Sequence, residues 1–408
     1  MRIWIVNYYT TPTCSNPRYL EFAKHFMAAG HEVLTFYANY ESEEDAPLLK
    51  RTIIDGLDFV EVKTPHFVGN GIARMKSIFK FSKIIKKHRN DFEKPDVVLH
   101  NIHPPFDYPI VSMAKKLGAK YISEAWDLWP EDFVTFGLVK ANNPAMKVAY
   151  AIEKRYYYAA DEIVFTFLGA FDYLKRQGWM KEQGGKIDSS HLHYINNGID
   201  LEQFDHNVVA YRRLDPDMND PSITKIVYLG AINKANNVRS LIDAAAKMQD
   251  KPNYRFFIYG NGAYRPELEQ YVKDKQINNV VFKETYIPLE ECAWVVSQAT
   301  VNVMNYEKSF GKWGVSSGKM FQYLAAGKPI VCNIDIPYDN VIQDNNLGIA
   351  RNIETPEEFA NSIQKLAEQS QDEYDAMCAR VRKVAKRFDY KVLAAEELKV
   401  IENVFKTN

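Results

Sequence analysis

The sequence runs twice through the same alternation, in which short apolar stretches are separated by segments with helical periodicity. The apolar stretches of the first half predict strands at residues 2–6, 32–37, 95–100, 120–124 and 162–167. Those of the second half predict strands at residues 225–229, 254–259, 280–282, 301–304 and 330–333. Helices are predicted between them, for example at residues 18–29, 238–248 and 266–275. Strands that alternate with helices in this way form parallel sheets with right-handed crossovers, so the pattern predicts an α/β fold.

A polar stretch near residues 200–220 interrupts the alternation. It contains Asp215-Pro216-Asp217 and Asn219-Asp220-Pro221, which break regular structure. A chain of 408 residues is long enough for two hydrophobic cores. We therefore expect two doubly wound domains that face each other across a cleft, with ligands bound at the carboxyl ends of the strands. A single large domain is the alternative, which the length disfavours.

Composition and charge exclude several classes of protein. With 46% hydrophobic and 25% charged residues the chain is typical of a soluble globular protein, and its net charge of -1 gives no general attraction for nucleic acid. No stretch of sequence approaches the ~20 apolar residues that span a bilayer, and the N-terminus lacks the pattern of a signal peptide. The four cysteines are far apart and have no metal-ligand spacing. We expect a cytoplasmic protein with reduced thiols.

Residues 316–329, SSGKMFQYLAAGKP, suggest a ligand site at the start of a short helix. Ser-Ser-Gly opens the helix, and Lys319 and Gln322 share one face because they are three residues apart. Unpaired backbone N–H groups with a lysine beside them bind anions, and the glutamine amide can bind hydroxyls of the molecule that carries the anion. A nucleotide diphosphate-sugar fits this description. The alternative is a surface helix that the serines merely cap.

Two other loops follow predicted strands and are candidates for the same site. Gly260 and Gly262 allow the backbone to approach a ligand closely, although a simple tight turn is the alternative explanation. A dinucleotide fingerprint would need a third glycine where this chain has Arg265, so a nicotinamide-dependent enzyme is disfavoured. Gly230 opens the other loop, in which Lys234 is either a phosphate contact or a solvated lysine.

The segment 316–329 resembles the donor-binding helix of retaining glycosyltransferases of family 4, which have the GT-B fold. The form it most resembles belongs to members that build bacterial surface polysaccharides such as O-antigen and capsule. Residues 126–131 resemble the D-x-W-P-E run of that subgroup, residues 197–200 its N-G-V-D signature, and residues 260–263 its G-x-G-P loop. The ordered set covers nearly the whole chain.

The resemblance implies a retaining transfer of a hexosyl or N-acetylhexosaminyl group from a nucleotide diphosphate-sugar to a hydroxyl, without a metal cofactor. Lys319 would stabilise the leaving diphosphate as a catalytic residue. The other implied donor-binding residues are Gly230, Lys234, Gly260, Gly262, Ile287, Ser316, Ser317, Gly318 and Gln322. Gln322 stands where the family usually has a glutamate on the ribose hydroxyls, and Gly314 stands where it has a second glutamate.

The resemblance also assigns residues to the acceptor, which is expected to be a glycan or a polyprenyl-diphosphate-linked sugar. His103 would contact the transferred sugar, and Asp127 would bind the acceptor or assist proton removal, unless it only caps a turn. Asn16 and Arg18 are expected to bind the acceptor, with a solvated Arg18 as the alternative. The implied domains are an acceptor domain (1–200), a donor domain (201–385) and a terminal helix that returns to the first domain (386–408).

Residues 71–89 form an amphipathic segment. The basic stripe contains Lys76, Lys80, Lys83 and Lys87, and the opposing arc contains Ile72, Met75, Ile78, Phe79, Phe81 and Ile85. Such a helix is typical of contact with anionic lipid headgroups, which would place the protein at the inner face of the membrane. The alternative is a helix that packs on the sheet and presents solvated lysines.

Two other functions remain open. A nucleotide-sugar epimerase can share the fold, and Gln322 and Gly314, in place of glutamates, are compatible with a catalytically silent scaffold of a polysaccharide assembly complex. Conversion of a donor without acceptor would identify the epimerase. Release of free nucleoside diphosphate with an acceptor present would exclude the scaffold.

Overall fold

The computed structural model describes residues 1–69 and 71–406, and it separates into two compact units. Unit 1 comprises Met1–Asn196 together with the chain from Tyr390 onward, and unit 2 comprises Asn197–Asp389. Each unit is an α/β domain built on one sheet. The predicted fold class, two doubly wound domains with parallel sheets, is confirmed.

The strands follow the chain in the order of their labels. They are β1 (Arg2–Val6), β2 (Glu32–Asn39), β3 (Leu49–Ile54), β4 (Leu57–Lys63), β5 (Val97–Asn101), β6 (Lys120–Ala125), β7 (Glu162–Phe165), β8 (Leu192–Tyr194), β9 (Thr224–Leu229), β10 (Tyr254–Tyr259), β11 (Val280–Phe282), β12 (Val301–Met304), β13 (Ile330–Cys332) and β14 (Gly348–Ala350).

The helices alternate with these strands. They are α1 (Arg18–Ala28), α2 (Ile72–Lys87), α3 (Tyr108–Leu117), α4 (Glu131–Thr135), α5 (Pro144–Ala159), α6 (Ala170–Arg176), α7 (Leu201–Ala210), α8 (Pro216–Asn219), α9 (Val238–Ala246), α10 (Arg265–Asp274), α11 (Leu289–Ser297), α12 (Gly318–Ala326), α13 (Val341–Asp344), α14 (Pro356–Ala367), α15 (Gln371–Ala385) and α16 (Tyr390–Asn403). Short 3-10 helices lie at Lys181–Gln183, Ser189–His191, Lys234–Asn236, Lys308–Gly311 and Lys386–Phe388.

The sheet of unit 1 has eight strands in the order β3-β4-β2-β1-β5-β6-β7-β8. All its pairs are parallel except β3 with β4, which form an antiparallel hairpin at the edge. Val6 of β1 lies opposite His100 of β5, and Asn101 of β5 lies opposite Glu124 of β6. The loops after β1, β5 and β6 therefore leave the sheet at the same edge.

Central strands of unit 1 are apolar because helices cover both faces of the sheet. On one face α1 and α16 pack against each other and against the strands. They supply Phe22, Phe26, Leu393 and Ile401 to a core that also contains Ile5. The last helix of the chain is thus an integral part of unit 1.

The sheet of unit 2 has six parallel strands in the order β11-β10-β9-β12-β13-β14. Its helix α12 is short because Gly327 ends it with a left-handed conformation, φ 64°, in which glycine is preferred. Met320 and Leu324 of α12 are buried, as their four-residue spacing predicts. On the remaining side of α12, Lys319, Gln322 and Ala326 are only partly buried.

Four strands were not predicted from the sequence, namely β3, β4, β8 and β14. Of these, β3 carries Lys50 and Arg51 and is only partly buried, so it lacks the apolar run of a central strand. Strands β8 and β14 have three residues each. Strands β3, β8 and β14 lie at sheet edges, where less apolar surface is needed. Strand β4 lies inside the sheet, but Asp58 and Glu61 interrupt its apolar residues.

The structure corrects the predicted apolar arc of α2. The four lysines of the basic stripe are exposed, and Ile78, Phe81 and Ile85 are buried as expected. Ile72 and Phe79, however, are 71% and 42% exposed. Phe79 lies beside the lysines, with Lys83 Nζ 5.2 Å from its ring centroid, because position 79 falls between Lys76 and Lys83 on the outer face. Within residues 1–69 and 71–406, no helix has both the length and the apolarity to cross a membrane.

Candidate functional site

In unit 2 the N-terminus of α12 lies beside the loops that follow β9 and β12. Ser317 is the N-cap residue in an extended conformation, and its side chain accepts no hydrogen bond from the helix. Gly318 begins the helix and is exposed. The first N–H groups of a helix have no partner within the helix and carry partial positive charge. The start of α12 therefore favours negative charge. A bound anion would also need contacts with neighbouring side chains.

Lys319 supplies a positive charge at this helix start. Its Nζ donates hydrogen bonds to Asn236 Oδ1 and, at 3.3 Å, to Tyr228 Oη. It also faces the rings of Tyr228 and Tyr306, with centroids at 4.9 and 4.6 Å. No carboxylate in the described part of the chain forms an ion pair with it. These protein partners of the Lys319 amine are all neutral groups.

The surroundings of Lys319 disfavour its charged form. Burial lowers its pKa to about 7, and the nearby Cys332 opposes this shift only in part. Burial likewise raises the pKa of Cys332 to about 12, so the thiol stays protonated and offers little compensation. An ammonium in such a place gains from an arriving anion more than a solvated lysine would.

Contacts within the protein explain why glycine occupies key positions of the neighbouring loops. Gly260 has φ 119°, and a Cβ there would lie 2.0 Å from the carbonyl oxygen of Gly230. Gly262 has φ 157°, and its Cβ would lie 2.2 Å from the carbonyl oxygen of Ile232. A Cβ on Gly230 would lie 3.0 Å from Cδ of Lys319. These glycines therefore let the loops after β9 and β10 pack closely, and they leave room for the lysine side chain.

Two more predicted donor residues lie on α12 or just before it. Gln322 Oε1 is buried and has no hydrogen-bond partner among the described residues. A buried acceptor without a partner costs free energy, which a ligand hydroxyl would recover. Ser316 accepts a hydrogen bond from Asn197 Nδ2 at 2.9 Å, which ties the segment before α12 to the start of unit 2.

Lys234 and Ile287 are less closely associated with Lys319. Lys234 is the exposed first residue of the 3-10 helix that ends at Asn236. Ile287 is half-buried and packs on a core formed by β9, β10 and α11. Its neighbour Tyr286 is 78% exposed. Gly230 thus lies next to the Lys319 side chain, whereas Lys234 and Ile287 form no hydrogen bond with Lys319 in the described part of the chain.

In unit 1 two histidines share one carboxylate at the end of β5. Asp107 Oδ2 accepts from the backbone N–H of His103 at 2.7 Å and lies 3.2 Å from Nδ1 of its ring. The same oxygen lies 3.1 Å from His100 Nε2, whose other ring nitrogen is 3.0 Å from Tyr121 Oη. Burial would raise the pKa of Asp107, but His100 and His103 together hold it below its ordinary value. Asp107 is therefore a carboxylate that orients His103.

Asp127 lies after β6 and is exposed. Crowding by surrounding protein raises the pKa of its carboxyl group, and the charges of His103 and Arg74 oppose that shift. Arg74 donates to Tyr9 Oη at 2.7 Å, and its guanidinium lies over the rings of Tyr9 and Trp129 at 5.2 and 5.6 Å. The edge of the sheet thus combines an accessible carboxylate, a cation and aromatic rings, which suit binding of a sugar or a charged headgroup.

The acceptor role assigned to Arg18 is corrected by its burial. The side chain is fully buried and donates to Glu124 Oε1 and to the carbonyl oxygen of Asn196. Glu397 of α16 lies 3.7 Å away. Because its donors are used inside the protein, Arg18 neither contacts an acceptor nor is solvated. Asn16 accepts from the Arg18 backbone N–H at 3.2 Å and is only half-buried, so it remains accessible.

Several residues of these sites were not predicted. They are Asn236, Tyr228 and Tyr306 around Lys319, and Asp107, Arg74 and Tyr9 near His103. Asp107 carried a usable signal, since an aspartate four residues after a histidine at a helix start can fold back onto it. The aromatic residues carried none, because which rings meet a lysine is decided by loop packing. Among residues 1–69 and 71–406, no group of three or more histidine, cysteine or acidic side chains is placed to hold a metal ion.

Family comparisons match both halves of the chain. Residues 18–203 match the family described as Glycosyltransferase Family 4, and residues 223–369 match the family described as Glycosyl transferases group 1. The comparison with curated protein sequences gave no significant match.

Solved structures of similar fold cover nearly the entire chain. A UDP-forming α,α-trehalose-phosphate synthase from Burkholderia xenovorans is 10% identical, with a TM-score of 0.74 and 99% of each chain covered. The Anabaena protein HepE, solved with UDP and glucose, is 13% identical, with a TM-score of 0.67 and coverage of 99% of this chain and 100% of that one. WaaG, a glycosyltransferase involved in lipopolysaccharide biosynthesis, is 15% identical, with a TM-score of 0.67 and coverage of 98% and 99%. At these identities the likeness establishes the fold. Together with the two family matches, it shows that the chain is a glycosyltransferase with the GT-B fold.

Proposed function

We propose that this glycosyltransferase transfers a sugar from a nucleoside diphosphate-sugar to a hydroxyl of a glycan or lipid-linked acceptor, with retention at the anomeric carbon. The observation that carries the proposal is the Lys319 amine, which lies at the start of α12 and has only neutral partners among the described residues. A diphosphate supplies the missing negative charge. The helix N–H groups and Lys319 would then stabilise the charge that develops as the glycosidic bond breaks.

Uridine is the nucleoside that the comparisons favour. HepE was solved with UDP and glucose, and an 11% identical E. coli structure, described as trehalose-6-phosphate, was solved with UDP-2-fluoro glucose. The buried Oε1 of Gln322 is an acceptor for a donor hydroxyl in the same region. An amide accepts such a bond more weakly than a carboxylate. We therefore assign Gln322 to the donor, with a weaker contact than a glutamate would make.

The proposed reaction needs no residue that forms a covalent sugar intermediate. The acceptor hydroxyl attacks the anomeric carbon on the face that the diphosphate leaves, so one C–O bond forms as another breaks. The leaving phosphate takes the electron pair of the broken bond and then the acceptor proton. Charge on the diphosphate is neutralised by Lys319 and helix N–H groups, which is why we propose a reaction independent of a metal ion.

Unit 1 would supply the acceptor side of the reaction. His103 is oriented by Asp107, and Asp127 is an exposed carboxylate near Arg74. Carboxylates bind sugar hydroxyls strongly, and aromatic rings pack on the apolar faces of sugars. We assign Asp127 to the acceptor and His103 to the transferred sugar. Asn16 remains a candidate acceptor contact, whereas Arg18 does not.

A lipid-linked acceptor would require access to a membrane surface. The outer face of α2 presents Lys76, Lys80 and Lys83 next to the exposed rings and chains of Phe79 and Ile72. Basic side chains around exposed apolar ones are typical of helices that lie at an anionic membrane interface. We therefore propose peripheral attachment at the inner face of the membrane, in the synthesis of a bacterial surface polysaccharide such as O-antigen or capsule.

The experiment that tests the function has three steps. A panel of nucleotide-sugars is first screened for thermal stabilisation, because a ligand that binds only the native state raises the melting temperature. Donors that bind are incubated with candidate acceptors in the presence of EDTA, and products are identified by mass spectrometry. The anomeric configuration is then read by NMR, with α retention from an α-linked donor as the expected result.

Controls separate this function from its alternatives. Lys319→Ala should lower turnover by about 10²-fold, as loss of an oxyanion donor does, whereas Lys275→Ala, at an exposed position of unit 2, should not. Isomerised donor in the absence of acceptor would instead identify an epimerase. Stabilisation without transfer to any acceptor would favour a scaffold, and activity of Lys319→Ala within threefold of wild type would remove Lys319 from the mechanism.

A further inference from the structure

The amine of Lys319 has two protein acceptors for its hydrogen bonds. Nζ donates to Asn236 Oδ1 and to Tyr228 Oη. The Tyr228 hydroxyl itself donates to the carbonyl oxygen of Ala231 at 2.7 Å, so its oxygen is left to accept from Lys319. A neutral amine has two N–H donors and an ammonium has three. The protein therefore satisfies the donors of the neutral form and leaves the third N–H of the ammonium for a ligand.

Among residues 1–69 and 71–406, no carboxylate forms a hydrogen bond or an ion pair with Lys319. Tyr228 lies near the end of β9, Tyr306 follows β12, and Tyr323 lies on α12 itself. Burial raises the pKa of each of these tyrosines, and also that of Cys332 on β13. All four groups are thus neutral at physiological pH. The site stabilises positive charge only through the oxygen dipoles and the faces of the aromatic rings.

Two acidic residues belong to the segments beside Lys319. Glu307 follows Tyr306, and its backbone N–H donates to the carbonyl oxygen of Ala235 at 2.8 Å. The negative charge of Asp335 raises the pKa of Cys332. Neither carboxylate forms an ion pair with Lys319 within the described residues. A basic residue of a neighbouring element, Lys234, is exposed to solvent on the 3-10 helix that ends at Asn236.

Asn236 holds its amide in one orientation. Its Nδ2 donates to Asn233 Oδ1 at 2.9 Å, so its Oδ1 is the atom directed to Lys319. Its backbone carbonyl accepts from Asn305 Nδ2 at 2.9 Å. The residue is 9% exposed. An amide fixed at both ends is a rigid acceptor, and it determines where Nζ can lie.

We propose that Asn236 positions Lys319, and that Lys319 takes up a proton from solvent when a nucleoside diphosphate-sugar binds. The inference rests on the proposed donor site and adds to it a positioning residue and a change of protonation. One N–H bond forms on Nζ and no other covalent bond changes. The new N–H donates to a diphosphate oxygen, while Asn236 Oδ1 and Tyr228 Oη keep the other two.

The direction of the pH effect follows from the free protein. Lys319 has a pKa of about 7 there, and a bound diphosphate raises it. Well below pH 7, Lys319 is already charged in most free molecules, so donor binding takes up only a small fraction of a proton. At pH 8, Lys319 is neutral in most free molecules, so donor binding takes up close to one proton. Donor affinity should then fall by about tenfold for each pH unit above 7, until the pKa of the bound state is reached.

The test is calorimetric binding of UDP-glucose, UDP-N-acetylglucosamine and GDP-mannose to the full chain. These diphosphate diesters have no phosphate group that titrates near neutrality, unlike free UDP. Titration at pH 8 in two buffers of different ionisation enthalpy gives the number of protons taken up. We expect about 0.9 for wild type at pH 8 and about 0.1 at pH 6, from a pKa of about 7.

Two variants isolate the residues. Lys319→Arg stays charged at all these pH values, so it should bind with no uptake from this site. Asn236→Asp keeps the shape of the amide but supplies a carboxylate, which should charge Lys319 before the donor arrives. We expect its uptake at pH 8 to fall below 0.3 and its affinity for the donor to fall about tenfold or more. Lys275→Met, at an exposed position, should retain the wild-type uptake.

The outcomes distinguish this inference from the proposed function. Binding of a nucleotide-sugar by wild type without proton uptake at pH 8 would overturn the inference and leave the function standing. Unchanged uptake in Lys319→Arg would assign the proton to another group and overturn it as well. If none of the three compounds bound, the proposed donor site would fail and the inference with it. Wild-type uptake in a folded Asn236→Asp variant would contradict the role of Asn236.

Discussion

Asp107 holds His103 at two points, through the backbone N–H at 2.7 Å and through ring Nδ1 at 3.2 Å. A carboxylate on Nδ1 keeps the proton of a neutral imidazole on that nitrogen, so Nε2 is the atom left for a substrate. The same carboxylate oxygen contacts His100, so the two rings are set by one group. Sequence reasoning singled out the histidines, but the structure shows that Asp107 sets their geometry.

Replacing Asp107 by Asn should therefore lower kcat/KM by about 10²-fold, since the proton is no longer fixed on Nδ1. The amide also accepts hydrogen bonds from the two rings more weakly than the carboxylate does. The measurement is steady-state kinetics, with melting temperature as a check on folding. Asp91→Asn is the matched control, because Asp91 contacts His88 Nδ1 at 2.7 Å at an exposed position. Equal kinetics in the two variants would refute the role of Asp107.

The stability of the free protein should depend on Lys319 and on pH. In the unfolded chain a lysine has a pKa near 10.4, whereas Lys319 in the native state has a pKa of about 7. Between these values the unfolded chain binds one more proton than the native chain, so this group makes stability rise with pH. The largest slope is about 1.4 kcal/mol per pH unit. It is measured as the difference in urea unfolding between wild type and Lys319→Met at pH 6, 7, 8 and 9.

Lys319→Met should also be the more stable protein at pH 7 and below, because it removes a charge that has only neutral partners. A gain of about 1 kcal/mol would raise the melting temperature by about 2–4 °C. The same substitution should lower turnover by about 10²-fold, as expected for Lys319→Ala. A variant that is less stable than wild type at pH 6 would show that the ammonium is well accommodated, contrary to the pKa given above.

Arg18 should matter for stability and not for the acceptor. Its guanidinium is paired with Glu124 inside unit 1, so Arg18→Met leaves a buried carboxylate without its cation. The expected cost is about 3–5 kcal/mol in the free energy of unfolding. Arg2→Met is the control, since Arg2 pairs with Glu32 at the surface and should cost about 1 kcal/mol or less. Retained stability together with a raised acceptor KM would restore the acceptor role.

Membrane attachment is tested at the four lysines of α2. Substitution of Lys76, Lys80, Lys83 and Lys87 by glutamate should abolish binding to vesicles that contain phosphatidylglycerol, because each basic residue near an anionic surface contributes about 1 kcal/mol. Co-sedimentation measures the effect. The control changes four exposed lysines of unit 2, Lys273, Lys275, Lys383 and Lys386, to glutamate. Equal loss in both variants, or no binding by wild type, would contradict the proposed surface.

Continuous apolar runs in the sequence predicted the central strands well. Strands β1, β10 and β12 lie inside their sheets and have the predicted bounds, because strands buried on both faces are largely apolar. The edge strand β11 also has its predicted bounds. The edge hairpin β3–β4 was missed, since Lys50 and Arg51 interrupt its apolar residues. The predicted apolar arc of α2 was too wide. It included Phe79, which the structure places beside the lysines on the exposed face.

The candidate site was only partly predictable, for a physical reason. Lys319 was identified from the glycine and serines that start its helix, which are neighbours in sequence. Its partners Asn236 and Tyr228 are 83 and 91 residues away, and they meet it only because β9 lies next to β12 in the sheet. The sequence likewise did not reveal that Arg18 is buried, because its partner Glu124 lies 106 residues further along the chain. A contact between distant loops leaves no periodic pattern.

Because α16 completes the core of unit 1, that unit is interrupted by the whole of unit 2 in the order of synthesis. On the ribosome, residues 1–196 emerge early but lack the helix that covers α1 and brings Glu397 to Arg18. Unit 2, in contrast, is contiguous and is ready to fold before translation ends. A stop codon placed just before Tyr390 would therefore spare unit 2 and leave unit 1 exposed to chaperones and proteases.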